Sequence, residues 1–423
     1  MTPKPLYPLF LKLDGKPVLV VGGGPVSLRR VERLVESGAR VTLVSPDIVP
    51  GLRALREAGK IVVVERRYEP ADMDGVSLVF FAAGDRGLAA AAREEAARRG
   101  ILFSSSESEE LCDFHVPAVA RSGPATVAVA TGGASPRGSA GIRDALAAWL
   151  RAADAFASEA AVPGRSGAPG KVYIVGAGPG DPGLLTVRGL AVLASADVVY
   201  HDRLVSEEVL GVIPARAQKV YVGKEVGCAH RANIHQLLAE SAREGKRTVR
   251  LKGGDPLIFG RGGEEILALR REGIEFEVIA GVSALSSVPA AAGIPITLRG
   301  VATEVIIRSG HRLPAAPGPA QHAPSSGGGR THVYFMAASR LDGVQAELLE
   351  EGVPPSTPVA VIQKGTLPGQ KVLHTTVGEL GRVAERETIE TPALLVAGEV
   401  CRFHDLARFL ELIEGEVLHG TES

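Results

Sequence analysis

Cysteine is scarce in this chain of 423 residues: Cys112, Cys228 and Cys401 are odd in number and far apart. They make no disulfide framework, and a reducing cytoplasm is the compartment to expect. Aromatic residues are few (4%), and the formal net charge is only -1. That combination supplies neither a basic surface nor interleaved aromatics for nucleic acid, and no field to draw the chain to an anionic membrane. No uninterrupted apolar run approaches the roughly 18 residues of a membrane span. The opening MTPKPLYPLF has no basic segment followed by a sustained apolar one, so no signal peptide is expected. What remains, 45% hydrophobic and 22% charged, is the balance of a soluble globular enzyme. The length calls for two or three domains.

Residues 16–113 alternate between two periods. KPVLVVG (16–22), ARVTLVSP (39–46), IVVVERRY (61–68), VSLVFFAAGD (76–85) and ILFSS (101–105) read as strands. SLRRVERLVESG (27–38) and LAAAAREEAARRG (88–100) read as helices stopped by glycine. This rhythm predicts a doubly wound parallel sheet. A strand at 125–133 and a helix at 139–161 follow, and VPGRSGAPG (162–170) has the composition of a linker. The α/β pattern then restarts, with strands expected near 172–176, 197–200, 219–223, 247–251 and 275–279. A second block follows with strands at 301–310, 331–337, 357–365 and 391–398. Residues 312–330, which include His322, are rich in Pro, Gly, Ser and Ala without periodicity and read as a loop.

Three glycine-dense turns punctuate this pattern. Gly22, Gly23 and Gly24 follow an apolar strand and precede a helix, where a diphosphate can approach the backbone. A tight turn with no ligand is the alternative. VSPD at the end of the next strand puts Pro46 and Asp47 at the distance of a ribose contact, and no arginine stands beside Asp47, which favours NAD over NADP. Asp85 either lines that pocket or caps the next helix. The other turns are KVYIVGAGPGDPGLLTVRG (171–189), carrying Asp181, and VRLKGGDPLIFGRGGEE (249–265), carrying Asp255. Three such turns imply two sites for nucleotide-like cofactors. In SSSESEELCDFHVP (104–117), Cys112, Asp113 and His115 suit a divalent ion in transit. The alternative is a small buried thiol beside surface carboxylates.

The N-terminal glycine turn, FFAAGD, FHVPAVARSG and VAVATGGASP (127–136) together resemble the precorrin-2 dehydrogenase/ferrochelatase module of siroheme synthases. Residues 171–400 resemble uroporphyrinogen-III C-methyltransferases of the tetrapyrrole methylase family. The resemblance implies an N-terminal Rossmann-like domain (1–113), a small α+β dimerisation segment (114–161), the linker, and a two-lobed α/β methylase domain (171–415). It implies S-adenosyl-L-methionine and NAD as cofactors, tetrapyrrole substrates, ferrous iron as a further substrate, and a homodimer. On the methylase side it assigns Pro179, Gly253, Gly254, Asp255, Ile258, Ser283, Ala284, Met336 and Gly365 to the methyl donor. Asp202 is then the proton acceptor and Lys224 the proton donor. Arg188, Arg261, Arg299, Arg308 and His311 suit the acetates and propionates of the macrocycle. On the dehydrogenase side it assigns Gly22, Gly24, Pro25, Val26, Pro46 and Asp47 to NAD. Glu107 stands where the family has an aspartate base, Ser104 where it has asparagine, and Thr131 where it has a phosphorylatable serine. GCAHRANIHQLL (227–238) and SPRGSAGIR depart from the family patterns. Two functions therefore stay open for the N-terminal half: a dehydrogenase, or a non-catalytic nucleotide-binding and dimerisation module on a working methyltransferase.

Overall fold

The computed structural model describes residues 6–123, 125–131, 136–160, 170–223, 234–310 and 329–404. Lys224, Cys228, His311, His322 and all but Gly170 of the expected linker lie outside the described residues. The chain divides into two compact units, Met1–Arg151 and Ala152–Ser423.

In the first unit the order is β1 (Pro17–Val21), α1 (Pro25–Glu36), β2 (Arg40–Val44), α2 (Pro50–Glu57), β3 (Ile61–Val64), β4 (Leu78–Phe81), α3 (Arg86–Arg98) and β5 (Leu102–Ser105). The five strands form one parallel sheet in the order β3-β2-β1-β4-β5. β1 and β4 are apolar at nearly every position because helices cover both faces. Val18 and Val20 pack with Val31 and Leu34 of α1 on one face. Leu19 and Val21 pack with Phe81, Phe103 and the alanines of α3 on the other. The helix α2, which opens on Pro50-Gly51, was not among the expected elements. Proline fills the first helical turn, where no N–H is needed, and Leu52 is fully buried. The chain leaves β1 toward β2 and returns to β4 on the other side, so the carboxyl ends of β1 and β4 border the crevice where such sheets bind ligands. An antiparallel pair, β6 (Ala118–Ser122) and β7 (Ala125–Val129), precedes α4 (Pro136–Ala160).

The second unit has two lobes. The first contains β8 (Val172–Gly176), α5 (Val187–Ala194), β9 (Val198–His201), α6 (Glu207–Gly211), β10 (Gln218–Tyr221), α7 (Ile234–Arg243), β11 (Thr248–Lys252), α8 (Gly262–Arg271), β12 (Phe276–Ile279) and α9 (Ala284–Ala291). Its sheet, β10-β9-β11-β8-β12, is entirely parallel. The second lobe contains β13 (Glu304–Ser309), β14 (Arg330–Phe335), α10 (Leu341–Glu350), β15 (Pro358–Gln363), β16 (Lys371–Thr376), α11 (Leu380–Arg386) and β17 (Ala393–Ala397). Its sheet, β13-β14-β17-β15-β16, is parallel only between β13 and β14. Each sheet has an apolar cluster on both faces. The α/β two-lobed architecture expected for this half is the one observed. Among the described residues, no helix is long and apolar enough to cross a membrane.

Candidate functional site

The two glycine turns of the second unit meet. Gly254 N–H donates to Gly178 O at 2.7 Å and Gly178 N–H to Gly254 O at 3.2 Å, an isolated antiparallel bridge that joins the loop after β8 to the loop after β11. They floor a cavity of about 910 Å³ that runs between the two lobes. Pro179, Asp202, Gly253, Gly254, Asp255, Ile258, Ser283, Ala284, Met336 and Gly365 all line it, as do Thr391, Pro392, Ala393 and Leu394 at the start of β17. Asp255 ties the floor together, accepting from Leu257 N at 2.8 Å and from Gly281 N at 3.2 Å. Asp181 does no such work: it accepts from Gly183 N at 2.7 Å in its own turn and does not line the cavity.

The reason for glycine differs along these turns. A Cβ on Gly176 would stand 2.4 Å from Gly281 Cα and 2.7 Å from Gly254 O, so here glycine lets chain approach chain and not ligand approach chain. Gly176→Ala is expected to cost about 2–3 kcal/mol by overpacking, read as a lower melting temperature by calorimetry. Gly254 is different: its nearest neighbour to an added Cβ is 3.8 Å away, so its open side belongs to the cavity. The positive-φ non-glycine residues of the described chain are Phe259, Arg261, Met336, Lys364 and Thr366. The first three line the cavity and the last two flank Gly365, which lines it. Left-handed backbone at such residues costs free energy and gathers where a site requires it. No sequence signal announces it.

A buried charge cluster forms one wall. Arg250 and Lys252 lie two apart on the central strand β11, so both side chains leave the same face. Both donate to Oε1 of Glu265, from Arg250 Nε at 3.0 Å and from Lys252 Nζ at 2.9 Å. Arg250 also donates to Asp202 Oδ2 at 3.2 Å, while Leu204 N–H donates to Asp202 Oδ1 at 3.1 Å. The side chains of Arg250, Lys252 and Glu265 are 7%, 4% and 6% exposed, against 25% for Asp202. Burial, and then the neighbouring Arg250, hold the Lys252 ammonium below its ordinary range, against the pull of Glu265 and Asp202. Sequence reasoning missed this trio. Its signal was present in VRLK: two cations at alternate positions of an otherwise apolar strand.

The expected carboxylate-binding cations do not gather here as a set. Arg261 lines the cavity, paired with Glu264. Arg188 is instead held by Glu277, and Arg308 by Glu347 and Glu351 beside α10, so each is neutralised away from the cavity. Arg299 is exposed and does not line it. Arg203, which was not expected, does.

In the first unit the carboxyl ends of the strands bring a second group together. Gly22 N–H donates to Val44 O at 2.9 Å, and Val49 N–H to Gly23 O at 2.9 Å, so Pro46 and Asp47 sit exposed beside the glycine turn. A Cβ on Gly22 would stand 2.1 Å from Ala82 O, which draws the FFAAGD turn in from the other side. Gly24 caps α1 without a side chain and has no atom within 4 Å of a built Cβ, and Pro25 and Val26 open the helix exposed. Behind them the Ser27 hydroxyl is fully buried with no partner among the described residues. Asp85 caps α3, accepting from Leu88 N at 2.9 Å. Glu107 is clasped: Oε1 accepts from Gly84 N at 2.8 Å and from Ser106 Oγ at 3.2 Å, and Oε2 from Ser105 Oγ at 2.6 Å. Ser104 is buried at the end of β5. Thr131 and Ser139 share a hydroxyl–hydroxyl bond of 2.8 Å. Asp113 is committed to Arg93 and to Phe103 N, and the Cys112 thiol sits 3.2 Å from Ser105 N. Among the described residues no group of three or more His, Cys, Asp or Glu is arranged to hold a metal ion.

Comparison with known proteins gives a consistent division. The family model described as Tetrapyrrole (Corrin/Porphyrin) Methylases matches residues 171–381, and the one described as Putative NAD(P)-binding matches residues 9–118. The chain is 36% identical to siroheme synthase 1 of Cronobacter sakazakii, with 98% of each chain covered. It is 35% identical to a siroheme synthase of Ectopseudomonas mendocina, covering 97% of this chain and 99% of that one. A crystal structure of uroporphyrin-III C-methyl transferase from Thermus thermophilus, complexed with S-adenyl homocysteine, is 39% identical over 55% of this chain and 94% of its own, with a TM-score of 0.47.

Proposed function

The chain belongs to the siroheme synthase family, and from that premise we propose that its two units carry successive steps of siroheme biosynthesis. The second unit methylates uroporphyrinogen III twice from S-adenosyl-L-methionine to give precorrin-2. The first oxidises precorrin-2 to sirohydrochlorin with NAD, and ferrous iron is the substrate of a closing chelation. The observation that carries this reading is the bridge between Gly178 and Gly254 beneath one cavity whose wall holds Asp202.

The methyl donor fits that floor because its peptide groups are open to the cavity at Gly254, where no side chain intervenes. We assign it to Pro179, Gly253, Gly254, Asp255, Ile258, Ser283, Ala284, Met336 and Gly365. When bound, S-adenosyl-L-methionine supplies an electrophilic methyl group on sulfur. Each transfer forms one carbon–carbon bond, breaks one sulfur–carbon bond and releases one proton from the macrocycle. Asp202 takes that proton, its carboxylate aimed by Leu204 N and Arg250, and Lys224 is assigned as the proton donor. Arg203 and Arg261 are the cations we assign to the peripheral carboxylates.

In the first unit the residues fit a dinucleotide. The buried Ser27 hydroxyl, without a partner among the described residues, and the start of the 12-residue α1, which no side chain caps among them, suit a diphosphate. We assign NAD to Gly22, Gly24, Pro25, Val26, Pro46 and Asp47, with the Asp47 carboxylate facing the ribose. Bound NAD supplies a hydride acceptor. Oxidation of precorrin-2 removes one hydride and one proton, and Glu107 takes the proton. We also read the protein as a cytoplasmic homodimer. The scarcity and wide separation in sequence of its three cysteines support the compartment, and the exposed apolar run Leu6, Tyr7, Leu9 and Phe10 supports association. Sedimentation at graded concentrations tests the second point.

Staged incubation tests the whole. Purified protein with uroporphyrinogen III and methyl donor is expected to accumulate precorrin-2. Adding NAD produces NADH absorbance, and adding ferrous iron shifts the spectrum again. Methylation without any NADH on supply of precorrin-2 and NAD would make the first unit a non-catalytic module.

A further inference from the structure

The proton transfer assigned to Asp202 uses neither Glu265 nor the second cation, yet these are the most deeply buried charges at the cavity. Glu265 sits in the first turn of α8, where the helix amides favour negative charge. One of its oxygens collects both cations of β11, and the other, Oε2, has no partner among the described residues. Arg250 is thereby stretched between two carboxylates. Nε points to Glu265 and one terminal nitrogen to Asp202, while the other terminal nitrogen donates to Leu251 O at 3.0 Å and Tyr200 O at 3.3 Å. A planar guanidinium bound on all three nitrogens has one orientation available.

We propose that Glu265 is a positioning residue for methyl transfer: by fixing the Arg250 fork it holds the Asp202 carboxylate at the cavity wall. The inference rests on the reading of Asp202 as proton acceptor. Without Glu265 the fork loses its anchor on the far side from Asp202. Two cations on one strand face then confront each other with no shared anion, a costly arrangement in a buried place. The Asp202 carboxylate keeps only Leu204 N–H as a fixed donor and swings with whatever Arg250 does. The Lys252 ammonium completes the anchor, since it draws on the same Glu265 oxygen.

The test is steady-state methyl transfer by the full chain, with donor affinity measured by calorimetry. Glu265→Gln is expected to lower kcat about 10- to 100-fold, while KM and donor affinity stay within about threefold. In an Asp202→Asn background the same change is expected to add less than about twofold, because the group it positions is already gone. Arg250→Lys keeps a cation for Glu265 but cannot span both carboxylates, so it should reproduce the kcat loss; it also decides the matter if Glu265→Gln does not fold. An equal loss from Glu265→Gln in both backgrounds, or a rise in KM at unchanged kcat, overturns the positioning role. Undiminished activity in Asp202→Asn removes the assignment of the proton acceptor itself, which is a separate outcome.

Discussion

Asp202→Asn is expected to lower the turnover of methyl transfer by about 100- to 10,000-fold, the range a positioned general base contributes. Donor binding should survive, because the cavity floor on which the donor is placed is built from Gly178, Gly254 and the side chain of Asp255 and owes nothing to Asp202. The fold should survive too. Asparagine keeps one oxygen, which can accept from either Leu204 N or the Arg250 guanidinium but not from both as the carboxylate does. The lost bond to a charged partner costs about 1.5–3 kcal/mol, part of which solvent recovers at a quarter-exposed side chain. Rapid mixing followed by mass spectrometry of the macrocycle, with calorimetry of the donor, separates the two quantities. Turnover within threefold of the parent would remove Asp202 from the chemistry and leave it as a turn-forming carboxylate.

The second large effect concerns the other unit. Glu107→Gln is expected to suppress NADH formation from precorrin-2 by about 100-fold or more, with methylation unchanged. Glutamine can keep the Oε1 contacts with Gly84 N and Ser106 Oγ, so the loop after β4 stays tied to the end of β5. What disappears is the negative oxygen at Ser105 and the ability to take a proton. The clasp also shows what the length of the Glu107 side chain is used for. The longer side chain reaches across to Gly84 N, a span of 23 residues in sequence, and is held by three donors at once. Glu107→Asp keeps the carboxylate but gives up that reach, and about tenfold lower dehydrogenation is expected from the freed loop. Spectrophotometry on supplied precorrin-2 reads both variants. Equal rates in parent and Glu107→Gln would assign the proton elsewhere.

Much of the architecture was legible because strands and helices here are apolar at their own periods. Val18 through Val21 and Leu78 through Phe81 read as buried strands, and the helix of Val31 and Leu34 shows its inner face in sequence. The elements that escaped were those whose local signals compete. Pro50 and Gly51 punctuate a loop in most settings and here begin α2. KVLHTT is mixed in polarity because β16 is an edge strand, paired among the described residues with β15 alone. The glycine turns and the acidic residue beside each were visible, but which acid faces a cavity was not. Asp181 and Asp255 look alike in sequence, and only the pairing of the two loops separates them. Cations misled for a related reason. Arg308 and Arg188 carry the right charge for a carboxylated substrate but have found anions of their own, whereas Arg250 and Lys252, inside a strand, pass for ordinary surface charge until burial is known.

The mutual bonding of Gly178 and Gly254 has a consequence for how such a catalyst can diversify. A surface made of amide groups offers mutation little to exchange, since Gly178 and Gly254 both hold a positive φ, 73° and 67°, at which any other residue strains the chain before it alters a preference. Novelty in what is alkylated must then come from the rim, where Leu204, Phe259 and Met336 project with half their surface bare. Descendants with new acceptors should keep the same currency of methyl supply while their rims drift apart.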